Sequence, residues 1–547
     1  MTRRLLAHAV CGLLAVVAPA VALVQPAAAQ VPTPVSHFGF EIGTDRKLAD
    51  WDQLLDYFEK LASTSDRVSL DTLGTTTMGR PFVMLTVTSP QNQARIDELL
   101  AMQRKLADPR TITSDAELQT LLQEARSVAL ITHQIHSTEI GGGLTAARML
   151  YELASSDDPN ILSILDNVVL LDIPSLNPDG TDWVAEFYME NVGTEYEGMS
   201  PPWLYQYYVG HDNNRDWYAF TQKETQLTIE HAHNLWHPQI VHDIHQMGGN
   251  GARIFFPPYI DPVEHNVDPA LVSAVNQLGT YMAANLTADG KEGAVVAAIY
   301  DAFTPARAYQ HYHGGVRILS ETASAQLATP VDVPAERVRG GRAYDAATAT
   351  WNYPLPWKGG HWTVGDIVDY MEAGALALLT NAAKNREFWV ENFYNINKRA
   401  VDGWDSWPAA WVIPADQANA VGLSHVLRIL TMGDVEVHRA TAPFTTAGRT
   451  FAAGAYVIPM AQPYASFAQT MLEIQDYPDL REYPGGPPRR PYDVTAHTLP
   501  LLMNVEAIAV DQRSSGQPAL SAPIEQVDWQ FALPAALTGS DAPRIGF

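Results

Sequence analysis

Apolar positions along the first four hundred residues alternate between two spacings. Leu48, Trp51, Leu54, Leu55, Phe58 and Leu61 recur every three to four residues and predict a helix over 48–62. Two β-rich runs follow, Val68–Leu73 and Pro81–Thr88, joined by Gly74–Arg80. Helical spacing returns over 92–106 and 115–126. Ser127–Thr132 and Val168–Ile173 are short apolar runs, as expected of strands covered on both faces, with a helix over Gly143–Leu153 between them. The second run closes on Asn177-Pro178-Asp179-Gly180, which reads as a turn. Helices are predicted over 221–236 and 270–287, strands over 239–244 and 315–319. Strands alternating with helices predict an α/β sheet covered on both faces.

Two stretches lack periodicity: 181–211, rich in Trp and Tyr, and 252–268, rich in Pro. Long irregular segments in a compact domain often border a functional cleft. Trp and Pro gather at 403–415, and a boundary is placed there. Beyond it a helix over 417–430, strands over 434–440 and 450–459, a helix over 464–475 and a Pro-rich run over 477–498 predict a second, smaller α/β unit spanning 405–547.

The start of the chain belongs to neither unit. Arg3 and Arg4 precede a mostly apolar run from Leu5 to Leu23, and small residues end it at Ala29, so 1–29 reads as a cleavable signal peptide. The expected location is secreted or periplasmic. Cleavage removes Cys11, the single cysteine, so disulfides contribute nothing to stability. It also removes two of the 35 basic residues and none of the 61 acidic ones, moving the formal charge from −26 to −28. That charge argues against nucleic acid, which needs a basic footprint, and against docking on an anionic membrane. No later stretch approaches the roughly 20 apolar residues of a membrane span.

Candidate chemistry begins at His136-Ser137-Thr138-Glu139, between a strand and a helix, where an imidazole and a carboxylate can face one ion. The strand ending in Asp243-Ile244-His245 brings a second histidine to a strand end, where open α/β sheets build their sites. The strand over 315–319 delivers Glu321. Two histidines and a glutamate with one open position form a catalytic zinc set. His133 and His242 are the alternative imidazoles. His231, His233 and His237 read as cations near a helix end.

The order of His136-x-x-Glu139, Asn177-Pro-Asp-Gly180, Asp212-x-Asn214-Arg215-x-Trp217, His245, Tyr300 and Glu321 resembles the zinc metallocarboxypeptidases of the carboxypeptidase A type. Leu73-Gly74-Thr75 through Gly79-Arg80 and Ile254-Phe-Phe-Pro-Pro-Tyr259 add to it, and the resemblance covers roughly 36–400. It implies a mixed central sheet flanked by helices, and one Zn²⁺ per chain on His136, Glu139 and His245. Glu321 would be the general base acting on a zinc-activated water, and Tyr300 would cap bound substrate. Asn214 and Arg215 would hold the free terminal carboxylate of a peptide, and Asp212 would orient His136. Counting between Tyr300 and Glu321 places either Arg307 or Ala306 in the pocket for the terminal residue. The resemblance implies hydrolysis of the C-terminal peptide bond. The rival readings are an amidase or deacylase on the same scaffold and a non-catalytic peptide-binding relative. One departure stands out: 181–214 holds neither Arg nor Lys, where the family places an oxyanion-stabilising Arg. His211, Arg253 and Arg317 are the candidate substitutes, with zinc alone the further possibility. The oligomeric state is not written in the sequence.

Overall fold

The computed structural model describes residues 31–527, apart from 205–208, 210, 211, 494 and 512–517. The segment 1–29 expected to be a signal peptide, with Cys11, and the candidate His211 lie outside the described residues.

The first long helix, Trp51–Thr64, starts behind a reciprocal cap. The Asp50 carboxylate accepts from the Gln53 amide at 2.8 Å, and the Gln53 side chain accepts from the Asp50 amide at 3.1 Å. Its apolar stripe, Trp51, Leu54, Tyr57, Phe58 and Leu61, is buried.

The core is an eight-stranded mixed sheet. Its four central strands run parallel in the spatial order Val168–Ile173, Ser127–His133, Ile240–Met247 and Val316–Ala323. Val68–Thr75 and Pro81–Val87 extend one side antiparallel, and Ile254–Phe256 with Ala294–Val296 extend the other. Every residue of Ser127–His133 and Val168–Ile173 is buried, which accounts for their mostly apolar sequence. The helices Gly141–Ser155, Pro269–Ala288 and Val364–Lys384 pack against the sheet. From Ser127–His133 the chain moves to one side, then returns to lay Ile240–Met247 on the other. The carboxyl ends of these two strands therefore flank a switch point, where α/β sheets bind ligands.

A second sheet of four antiparallel strands has the order His438–Arg439, Tyr456–Pro459, Ala410–Ile413 and Ile508–Val510. The helices Ala420–Met432 and Ala465–Leu472 accompany it. This part packs firmly on the first. The Trp407 indole donates to Asn266 Oδ1 at 2.9 Å, Arg428 donates to the Phe220 carbonyl at 3.2 Å, and the Tyr464 hydroxyl lies 2.6 Å from His237 Nδ1.

Several sequence expectations change, two of them in kind. Asn177-Pro-Asp-Gly180 starts the helix Pro178–Asn191 instead of forming a turn. Asn177 caps it, accepting from the Gly180 amide at 2.9 Å, and Pro178 fills a position that needs no N–H. Its inner face, Thr181, Val184, Ala185 and Tyr188, has helical spacing but mixes polar and small residues, so the apolar period is faint. The helix expected over 221–236 contains a π turn at Ile229–His233.

His265 joins the two parts. Its Nδ1 lies 2.9 Å from Glu264 and its Nε2 2.9 Å from Glu473, so both nitrogens face carboxylates. Its hydrogen bond to Glu264, the largest cause, pushes its pKa from 6.5 to about 9. A folded value above the unfolded one gives stabilisation that is complete below pH 6.5 and is lost as pH rises through about 9. His265→Ala should therefore melt below wild type at pH 6, and the gap should close by about pH 10. A pH-independent gap in calorimetric scans would assign the effect to packing.

Candidate metal centre and active site

His136 lies three residues past the end of the Ser127–His133 strand, and a tight turn brings Glu139 back beside it, its amide donating to the His136 carbonyl at 2.9 Å. The helix Gly141–Ser155 begins two residues later, and the Glu139 carboxylate accepts from the Gln246 amide at 3.0 Å. Glycines let the start of this helix lie close against Gln134: a Cβ on Gly143 would lie 2.6 Å from Gln134 Oε1, and one on Gly142 3.0 Å from the Gln134 backbone nitrogen.

One ligand atom from each of His136, Glu139 and His245 lies within 4.8 Å of the others. His136 Nδ1 is 2.8 Å from Glu139 Oε1, and His245 Nδ1 is 3.0 Å from Glu139 Oε2. The opposite nitrogens are backed by carboxylates: His136 Nε2 lies 3.0 Å from Asp212, and His245 Nε2 lies 2.9 Å from Asp243. Arg317 in turn pairs with Asp243. Two imidazoles turned by carboxylates toward a shared third donor match the way proteins prepare histidines for zinc. Burial opposes charge on both rings, yet the surrounding carboxylates outweigh it and push each up to about 10. Glu139, opposed by burial but flanked by both imidazoles, is drawn down to about 2.

Glu321 stands beside this cluster because its strand pairs in parallel register with that of His245, residue 321 opposite residue 245. Its side chain is buried and accepts from the Tyr300 hydroxyl at 2.7 Å. Burial is the main force pushing the Glu321 carboxyl up to about 7.

Asp212 also accepts from the Asn214 amide at 2.8 Å, fixing the helical turn Asn213–Arg215. Asn214 points inward: its Oδ1 accepts from the Trp217 indole at 2.7 Å, and its Nδ2 lies 3.0 Å from His245 Nε2. Arg215 pairs with Asp212 at 3.2 Å and with Asp493 at 2.7 Å. Arg307 is almost wholly buried, 2.9 Å from Asp301 and 3.0 Å from Asp493, and Ala306 is fully buried beside it.

The alternative histidines have other partners. His133 lies 3.1 Å from Asp172, both fully buried, and His242 lies 2.9 Å from Ser320. His233 lies 2.9 Å from Gln310, and burial drives its pKa down to about 4. Of the oxyanion candidates, Arg253 lies over the Trp357 ring at 3.6 Å and donates to the Gly249 and Gly251 carbonyls. Arg317 is engaged by Asp243.

Sequence reasoning assigned no role to Asp243 or Asp493. Asp243 had a readable signal: residues two apart in a strand share a face, so it had to lie beside His245. Asp493 had none, being 278 residues from Arg215 by number.

These elements define an α/β protein with a candidate His₂Glu metal centre at the carboxyl ends of its central strands. The resemblance read from the motifs is borne out: residues 54–239 match the family model described as zinc carboxypeptidase. His136 and Glu139 fall within that span, and His245, Tyr300 and Glu321 lie beyond it. No curated protein gives a significant match. Among solved structures, the chain is similar to a metallo-carboxypeptidase from Burkholderia cenocepacia, with 15% identity, TM-score 0.38, and coverage of 62% of this chain and 69% of that one. It is also similar to carboxypeptidase A from Helicoverpa armigera, with 13% identity, TM-score 0.37, and coverage of 63% and 75%. A Pseudomonas aeruginosa metallo-carboxypeptidase in complex with (2-guanidinoethylmercapto)succinic acid gives 15% identity, TM-score 0.36, and coverage of 61% and 69%.

Proposed function

We propose that this chain is a zinc-dependent metallocarboxypeptidase that removes residues from the C-terminus of peptides. The observation that carries the reading is the convergence of His136, Glu139 and His245, with Glu321 in register beside His245. One zinc ion would be held by those three side chains, and it would supply Lewis-acid polarisation of the scissile carbonyl and acidify water. Glu321 would accept a proton from the attacking water and pass it to the leaving amine. Tyr300, donating to Glu321, would hold that carboxylate in place and cover the substrate. Asp212 and Asp243 would fix the imidazole rings. Arg215 would receive the terminal carboxylate, since its planar fork suits two parallel hydrogen bonds. The signal segment supports a secreted or periplasmic location, and no helix among the described residues is long and apolar enough to cross a membrane. We place the catalytic unit at 36–400 and the accessory unit at 405–547.

The test uses peptide pairs that differ only in a free or amidated C-terminus. One charged hydrogen bond contributes roughly 1.5–3 kcal/mol, so the free acid should be cleaved with a kcat/KM about tenfold or more above the amide. Arg215→Ala should erase that preference. Equal cleavage of both by the wild type would favour the amidase or deacylase reading. The engagement of Arg215 by Asp493 keeps that reading in play. The pocket assignment is tested with peptides ending in Glu, Leu and Lys. If Arg307 sets the pocket charge, Arg307→Ala should change their ranking. An unchanged ranking would assign Arg307 to holding Asp301 and Asp493.

A further inference from the structure

The Pro-rich segment 477–498 crosses the site and is pinned on both sides of it. Tyr477 packs edge-on against Phe303 at 4.6 Å, and the Gln475 side chain donates to the Thr495 carbonyl at 3.2 Å. Between these points Tyr492 meets the Tyr300 ring edge-on at 4.5 Å and lies 4.8 Å from the Arg307 guanidinium carbon. The next residue, Asp493, directs one carboxylate oxygen to Arg215 Nε at 2.7 Å and Arg307 Nε at 3.0 Å. Its other oxygen accepts from the Thr495 amide at 2.9 Å and hydroxyl at 2.6 Å. The Asp493 side chain is only 8% exposed. Burial opposes its ionisation, but the Thr495 hydrogen bonds and the two guanidiniums prevail and hold its carboxyl below the usual range.

Charge and position together identify what Asp493 imitates. A carboxylate on Arg215, beside a Tyr that caps the catalytic Glu, stands where the terminal carboxylate of a bound peptide would stand. Two cations there face three carboxylates, Asp212, Asp301 and Asp493, so an incoming carboxylate meets a net negative charge and an occupied Arg215 while Asp493 remains, and a balanced set once its charge is gone. We propose that Asp493 is an internal competitor for the terminal-carboxylate anchor, so that a substrate's free C-terminus binds Arg215 only by displacing it. This rests on the carboxypeptidase reading of Arg215. Asp493 acts here as a specificity-determining residue: it weakens binding of every carboxylate ligand while leaving ligands without one unaffected.

The experiment compares wild type with Asp493→Asn, which keeps size and can still accept from Thr495 but removes the charge. Calorimetric titration with N-acetylphenylalanine and with its amide reads the anchor without turnover. We expect the acid to bind Asp493→Asn at least tenfold more tightly than wild type, with the amide little changed. The free-to-amidated ratio of kcat/KM should rise through a lower KM for the free peptide. Tyr492→Ala, which loosens the segment but leaves the carboxylate, should shift acid binding the same way by a smaller factor. Unchanged or weaker acid binding in both variants, each melting as a folded protein, would overturn the proposal. Tighter acid binding in a protein that cuts neither peptide would sustain it while sinking the carboxypeptidase reading.

Discussion

Glu321→Gln should retain wild-type metal content and melting behaviour yet lower kcat by roughly 10²–10⁴-fold, the span expected when a general acid–base group is lost. The amide has the shape of the carboxylate, and its oxygen can still accept from Tyr300, so the fold has little reason to respond. What disappears is the only group on the Glu321 side chain able to take a proton. A buried carboxyl near neutrality is well matched to the task, since it can both accept and return a proton at working pH. A dication at the neighbouring cluster would draw its pKa down and favour the ionised base. Tyr300→Phe should cost less than Glu321→Gln, because it removes an orienting hydrogen bond and leaves the acceptor. A Glu321→Gln enzyme within tenfold of wild-type kcat would mark Glu321 as a buried strand-end carboxylate and move the base elsewhere.

The sequence made the central strands legible because burial on both faces favours apolar residues: Ser127–His133 and Val168–Ile173 read as short, mostly apolar runs and are strands with no exposed residue, and the polar His133 and Asp172 pair with each other inside. The metal candidates were legible for a related reason. His136 and Glu139 are polar residues where such a strand ends, and His245 and Glu321 lie on neighbouring parallel strands whose register brings them together. What stayed hidden depended on contacts between distant segments or on local signals with two meanings. Asn177-Pro-Asp-Gly180 satisfies turn and helix-start chemistry equally, and only the inward face of Pro178–Asn191 decides between them. The strand carrying His245 runs on to Met247, past the expected end at 244, because Gln246 and Met247 pair with Thr322 and Ala323. Nothing near Asp493 announces that its carboxylate belongs on Arg215, and nothing near His265 announces Glu473. Both pairings join the second sheet's part of the chain to the first, where hydrophobic period carries no information.

His136→Ala should reduce zinc from about one ion per chain to a small fraction after dialysis, with activity falling in parallel. Three protein donors would make the proposed site, and two would leave zinc with half of its usual tetrahedral set from the protein. His136 is the better position to test than His245. Its side chain is 18% exposed, so water can replace the lost imidazole, and Asp212 keeps Arg215 and the Asn214 amide as partners. His245 is 1% exposed, and its removal would leave a cavity in the interior and take one partner from the buried Asp243, which keeps Arg317 and the Thr132 hydroxyl, so a folding defect would mix into the metal measurement. Asp243→Asn separates the two effects. It leaves all three donors but weakens the group that turns His245, so zinc affinity should fall by about 10–100-fold, as is usual when a ligand's hydrogen-bond partner is changed. His133→Ala serves as the reference. That imidazole is bonded to Asp172 inside the sheet, so its loss should lower the melting temperature and leave zinc stoichiometry intact. Zinc retained near one per chain in His136→Ala, but lost in His133→Ala, would transfer the ligand role to His133 and require the loop after the strand to be rebuilt around it.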